Sequence, residues 1–338
     1  MLRAIATLSL FLGILLPLDD AAAEAKPPTF SLPVQCSFPD ECYIQAHVDL
    51  EPGPNSADHA CGIITYNSHK GTDFRLRDLD LMDRGVPVVA AAAGTVIRTR
   101  DGVRDVHMKL FGKKLAFRRG AGNFVLIDHG GGWRTQYAHM RKGSVAVKSG
   151  MRIKSGQQLG LVGLSGLTEF PHMHFEINHS GQTIDPFVGK DNGNDCKGPK
   201  NTLWTGAALS VLKYRKYFLV AAGFADAPLS REALLYGLHV RDRLSRKAPA
   251  IAFHVDFSGG RMGDTYLLRI FGPGGKIFAE NRKRLKKDAQ IRFDLIGRKI
   301  AKRPAWPTGT YRGEFVLYRE NAGKQSILLR HEQNLDVE

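Results

Sequence analysis

Residues 169–177 read EFPHMHFEI, which sets His172 and His174 two positions apart in a run of strand-forming residues. Side chains alternate faces along a strand, so the two imidazoles point the same way, with room for one shared object. Upstream, HKGTDF places His69 and Asp73 four apart. Imidazole and carboxylate are good ligands for zinc, and a catalytic zinc site combines three protein ligands with an open position. His69, Asp73 and one member of the 172/174 pair would supply that set. The chain has no HExxH, so no helix-borne glutamate serves as a base. The other member of the pair and His139, in QYAHM, are the remaining candidates for moving protons. The plain alternatives are two histidines on a solvated strand face and a His139 that only satisfies the core.

The elements that must hold these residues are mostly short strands. VPVVAAAAGTVIRTR (86–100), GNFVLIDHG (122–130), WRTQYAHM (133–140) and PHMHFEINHSGQTIDPF (171–187) are bounded by glycine turns. Between them, 144–166 carries a glycine every few residues, which fits tight turns with little helix. The polar stretch GKDNGNDCKGPKN (189–201) reads as a linker. Beyond it SREALLYGLHVRDRL carries a short helix. Five further segments alternate with period two, which predicts a β-sandwich-like domain. The expected division is a leader at 1–25, an N-terminal segment at 26–61, a metal-site domain at 62–198 and a basic β-domain at 199–338.

In order, HKGTD, GVPVVAAAAGTVIR, GNFVLIDHGGGWRTQYAHM, VKSGMRIKSGQQLGLVGLSG, PHMHFEI and IDPF resemble the lysostaphin/LytM-type zinc metallopeptidases over residues 62–188. The resemblance implies a compact antiparallel β-fold and one zinc ion per chain at the floor of a groove. By motif, His69, Asp73 and His174 would bind the metal, and His139 and His172 would be the catalytic histidines beside it. It also implies cleavage of peptide bonds in bacterial peptidoglycan, in cross-linking stem peptides or glycine bridges. Asn123 and Asp128 are candidates to orient the site, and His129 reads as structural. Three stretches depart from the pattern: FRLRDLDLMDR after Asp73, the basic insertion at 101–121, and Glu169-Phe170 before the PHMH.

The ends and the charge bound the setting. Residues 1–25 have Arg3, an apolar run from Ile5 to Leu18 and a small-residue stretch, the layout of a secretory signal peptide. With no cysteine near the cleavage site, a lipid anchor is not expected. The expected location is the periplasm, with release outside the cell as the alternative, and no transmembrane segment is expected in the mature chain. In an oxidising compartment the four cysteines favour disulfides, read as Cys36–Cys42 and Cys61–Cys196. Of the net charge of +15, residues 200–338 carry +13, from 26 Lys/Arg and 13 Asp/Glu. That asymmetry suits an anionic envelope surface, and no aromatic-interleaved basic motif suggests nucleic acid. Two rivals to a peptidase remain: a non-enzymatic regulator of other wall hydrolases, whose hallmark is missing ligands, and a wall-binding module built on the basic domain.

Overall fold

The computed structural model describes residues 26–111, 119–190, 199, 201–238, 240–301 and 304–338. The expected leader, Cys196 and most of the expected linker lie outside the described residues. Among the described residues, no helix is long and apolar enough to cross a membrane.

The first half is built on an eight-stranded antiparallel sheet. Its strands are β1 (Cys42–Ala46), β2 (Thr72–Leu76), β4 (Gly94–Arg100), β5 (Asn123–Gly130), β6 (Trp133–Met140), β7 (Arg152–Ile153), β9 (His172–His179) and β10 (Gln182–Ile184). They are ordered β1-β2-β9-β6-β5-β4-β7, with β10 on β9, while β3 (Pro87–Val89) and β8 (Gln158–Leu161) form a separate pair. Alternation explains the faces. Phe74, Met173 and Phe175 point into the core and are fully buried, whereas Asp73, His172 and His174 share the opposite face. The long connection after Asp73 folds into α1 (Leu79–Arg84), capped by the Asp78 side chain accepting from the Leu81 N–H. Part of the basic insertion forms the single turn α2 (Met108–Phe111).

The second half packs two sheets face to face. One holds β11 (Phe218–Ala225), β13 (Ala250–Gly260) and β16 (Ala289–Lys299). The other is ordered β12-β18-β17-β14-β15, made of β12 (Arg243–Leu244), β14 (Thr265–Phe271), β15 (Ile277–Arg284), β17 (Gly309–Asn321) and β18 (Lys324–Val337). Phe253, Val255 and Phe257 from the first meet Leu268, Phe315 and Leu317 from the second in one core, so the architecture is a sandwich. Mostly-β structure was expected throughout, and both halves have it.

The changeover between halves lies later in the chain than residue 199. Leu203, Trp204, Ala208 and Leu212 belong to the first core, on or beside α3 (Gly206–Val211). The backbone of Phe30 brackets this strap, donating to the Leu203 carbonyl and accepting from the Thr205 N–H. Composition marked the linker by its polar residues; the apolar residues that follow are held by the earlier core.

The two halves are in contact. Tyr43 and Ile64 pack with Phe218, Val220 and Leu235, the last on α4 (Arg231–Leu235). Arg231 joins the buried Asp256 (Nε to Oδ2 2.8 Å) to Glu169 (Nη1 to Oε2 3.2 Å). The Tyr236 hydroxyl donates to the Glu169 carbonyl at 3.1 Å. Of the two expected disulfides, Cys36–Cys42 is present.

Candidate metal centre and its groove

Three side chains meet on the open face of the sheet. His69 Nε2, Asp73 Oδ1 and His174 Nδ1 form a triangle with edges of 3.1, 2.8 and 3.2 Å. The register explains part of this: Asp73 on β2 pairs directly with His174 on β9, so both side chains leave the same face at neighbouring positions. His69 comes from the loop before β2. Its Nδ1–H donates to the carbonyl of His47 at 2.7 Å, which leaves Nε2 with a free lone pair aimed at the other two. A ring fixed by a backbone carbonyl in this way is the usual support of a metal-binding histidine. Gly71 lies against His174; a Cβ there would stand 2.7 Å from the ring.

The donor set fits zinc. Two imidazole nitrogens and one carboxylate oxygen, with edges near 3 Å, suit bonds of about 2.0–2.2 Å to a single ion. The electrostatics agree. Burial would push Asp73 up, but the imidazoles of His69 and His172, with hydrogen bonds from His174 and His69, hold it well below the usual carboxylate range. Burial works against a charge on His69, and the neighbouring Asp73 outweighs it and raises the ring.

Two further histidines stand at the rim of this triangle. His172 Nδ1 lies 2.9 Å from the Phe170 carbonyl and 3.0 Å from Thr168 Oγ1, while its Nε2 faces Asp73 Oδ1 at 3.7 Å. His139 Nδ1 lies 2.8 Å from the Ser165 carbonyl. Strict alternation along β6 would send Ala138, opposite His174, to this face and His139 to the other. A left-handed backbone at His139, with φ of 59°, breaks the alternation and brings its ring within 4.5 Å of His172. Burial depresses both rings, His139 the more because His172 and His174 lie beside it. Both are therefore neutral bases with Nε2 open.

The centre lies in a groove of ≈ 410 Å³ whose walls include Tyr66, Leu167 and Phe170. Tyr66 also stacks on His69, with centroids 4.3 Å apart. Two of the three departures from the family pattern reach the groove, through Met108 and through Glu169-Phe170. A third contribution comes from the far half of the chain: Gln290 and Ile291 at the start of β16 line the same groove.

All five residues singled out in the sequence therefore converge. Of the two candidate supports, Asn123 is buried and its Nδ2 donates to the Met140 carbonyl, next to His139. Asp128 instead caps a turn at Gly130 and faces Arg134, outside the site. His129 bonds the Ala93 carbonyl and Thr135 Oγ1. The supporting carbonyls of His47, Ser165 and Phe170 had no signal in the sequence, since every residue carries one.

An antiparallel β-domain with a His–Asp–His centre and two flanking histidines defines a metallopeptidase-type site. Residues 67–186 match the model of peptidase family M23, and this part of the chain is an M23 peptidase domain. Over 147 residues the chain is 32% identical to an uncharacterized metalloprotease of Haemophilus influenzae, covering 43% of this chain and 26% of the relative. Over 117 residues it is 33% identical to the peptidoglycan DD-endopeptidase ShyA of Vibrio cholerae, covering 35% and 22%. Among solved structures, a zinc containing peptidase from Vibrio cholerae aligns at 25% identity and a TM-score of 0.32, covering 47% of this chain and 39% of that one. The chain spans about a quarter of the length of these curated relatives.

Proposed function

We propose that this protein is an exported zinc-dependent endopeptidase that hydrolyses peptide bonds in bacterial peptidoglycan. The observation that carries the reading is the complete donor triangle of His69, Asp73 and His174 with two neutral histidines beside it. A regulator that had shed its ligands would lack that triangle. Homology to a peptidoglycan DD-endopeptidase supports the substrate class, and the leader expected at 1–25 supports a periplasmic site.

In this reading His69 Nε2, Asp73 Oδ1 and His174 Nδ1 hold the metal. Bound zinc supplies Lewis acidity, bringing the pKa of a water toward about 7 and polarising the scissile carbonyl. The chain's own residues do the rest. The Phe170 and Ser165 carbonyls hold His172 and His139 in one tautomer, with Nε2 facing the groove. Neutral at that atom, one ring accepts the proton of the attacking water and later returns it to the leaving amine. While it carries that proton, the same ring can donate a hydrogen bond from Nε2 to the developing oxyanion, and the other ring, still neutral, accepts a hydrogen bond from the attacking water and orients it. Tyr66 and Phe170 stand on the walls of the groove beside the metal ligands and give the substrate strand apolar surface to pack on.

The test is cleavage of purified peptidoglycan by the mature chain, with mass analysis of the released fragments. Cross-link cleavage that stops on chelation and returns with zinc is expected. Intact wall after incubation with the zinc-loaded protein overturns the reading.

A further inference from the structure

The groove at the metal centre does not end at its histidines. Glu169, Gln290 and Ile291 line it and also line a second, adjoining cleft of ≈ 970 Å³. That cleft is built on the connection by which the chain crosses from β15 in one sheet to β16 in the other, whose contribution includes Lys283, Arg284, Lys286, Lys287 and Arg292. Some of its charge is already committed. Arg231 is held by Asp256 and Glu169, and Lys283 by Asp294 at 2.7 Å. Among the described residues, however, no carboxylate stands within 4.0 Å of Arg284, Lys286, Lys287 or Arg292. The one acid of the turn, Asp288, lies 3.8 Å from Arg261.

Arg284 Nε donates to the Gly263 carbonyl at 3.2 Å and Arg292 bonds Tyr266, which fixes both guanidinium groups without neutralising them. Four cations without a carboxylate partner around a concavity favour an anion. Two are arginines, whose planar fork suits a carboxylate bidentately. The cleft opens from the groove past Gln290 and Ile291, so a chain crossing the metal centre has a continuous path into it. An extended peptide advances about 3.3 Å per residue, so a few residues beyond the scissile bond suffice to reach the cations. Continuity with the groove singles out the substrate strand as the occupant over a flat anionic surface.

We infer that the β15–β16 cleft is a carboxylate-binding extension of the substrate groove, which selects acidic peptide strands for the metal centre. The inference rests on the endopeptidase reading for the strand's direction of travel, and it gives the C-terminal half a part in specificity.

The test uses the zinc-loaded full chain and two soluble probes, a cross-linked stem-peptide dimer with free carboxylates and the same dimer amidated. Binding is measured by calorimetry on the slow His172→Ala background, and KM and kcat on the parent. The acid form should bind about tenfold tighter than the amide, the product of two partly exposed ion pairs each worth a factor of about three. The preference should appear in KM rather than kcat and shrink as salt rises. In the K286Q/K287Q/R292Q variant, whose changes are all at exposed positions, the ratio should fall toward one. Equal binding of acid and amide by the parent overturns the inference, as does a preference that survives in the triple variant. So does loss of anionic-vesicle binding in that variant without any peptide preference, which would make the cleft a surface anchor. The two readings separate cleanly. Binding preference without hydrolysis of either dimer refutes the endopeptidase and keeps the cleft. Hydrolysis of both dimers at equal KM keeps the endopeptidase and refutes the cleft.

Discussion

His139 and His172 stand with ring centroids 4.5 Å apart, and each directs its Nδ1 to a backbone carbonyl, Ser165 for one and Phe170 for the other. Neither Nδ1 is free for a metal, whereas His174 turns its Nδ1 toward Asp73. The two kinds of histidine should therefore fail differently. His174→Ala should lose both zinc and activity. His139→Ala and His172→Ala should keep zinc while turnover falls by at least about 10²–10³, the usual cost of one transition-state donor. The double variant should be far less impaired than the product of the singles. Zinc content and peptidoglycan turnover on all four proteins check this; zinc lost from His172→Ala and kept by His174→Ala would reverse the assignment.

Gly71 offers a way to disturb the metal without touching a ligand. A Cβ there meets the His174 ring and the Phe175 carbonyl at 2.7 Å, so the ring must move. Gly71→Ala should weaken zinc binding by about 10–100-fold, the range seen when support around a ligand is disturbed. Competition against a chromogenic chelator measures it. Gly206→Ala, with nothing within 4 Å, is the control, and equal zinc affinity in the two variants would show that the ring accommodates the methyl.

In the first half's core, His59 Nδ1 and Asp185 Oδ2 face each other at 3.8 Å, neither with a hydrogen-bond partner among the described residues. Burial lowers His59 to about 4 and raises Asp185 to about 7, so between these values both are neutral when folded. Taken alone, His59 favours folding above its unfolded pKa, an effect lost as pH falls toward 4. Asp185 favours folding below its unfolded pKa, an effect lost as pH rises toward 7. At about pH 5 the unfolded pair is ionised and carries the same single proton as the folded pair, so the two slopes cancel. Asp185→Asn removes that cancellation. Relative to the parent, its stability should rise with pH between about 4 and 6.5, by up to ~1.4 kcal/mol per unit. Urea melts at several pH values test it, and parallel curves for the two proteins would refute it.

Arg231 reaches across to Glu169 of the first half while paired with Asp256, a carboxylate of its own half with no exposed surface. Arg231→Met should destabilise the protein by about 3 kcal/mol or more, because a buried charge loses its partner. Adding Asp256→Asn should restore much of that, since the uncompensated charge goes with it. Thermal unfolding of the two variants decides; no recovery in the double variant would place the cost in lost packing instead.

Much of the site was legible because its chemistry lies in residue type and strand period. HMH on one strand face and HKGTD four apart announced themselves. His139 in QYAHM stood out only as a candidate histidine and took its catalytic role from the family resemblance, since alternation along β6 points it the wrong way and a left-handed φ cannot be read from the sequence. The pairing of Asp73 with His174 spans 101 residues, and no local pattern encodes such a register. The segment after 200 was misleading for a related reason: Leu203 and Trp204 look like the start of a new domain until Phe30, far earlier in the chain, brackets them. Nor could any pattern announce that Gln290 and Ile291 wall the groove, which depends on how two separately cored halves dock.

The left-handed backbone at His139 also bears on how such a chain would drift. A side chain at φ 59° is held there at a cost of about 1 kcal/mol or more relative to glycine. Asparagine is among the side chains that tolerate that region best. Were the ring no longer needed, exchange to glycine or asparagine would relax the backbone and leave the metal triangle standing. Ancestry could thus pass from hydrolase to metal-holding, non-hydrolysing scaffold by a single codon change that stabilises the fold, and position 139 is the first place to look for that passage in a diverging lineage.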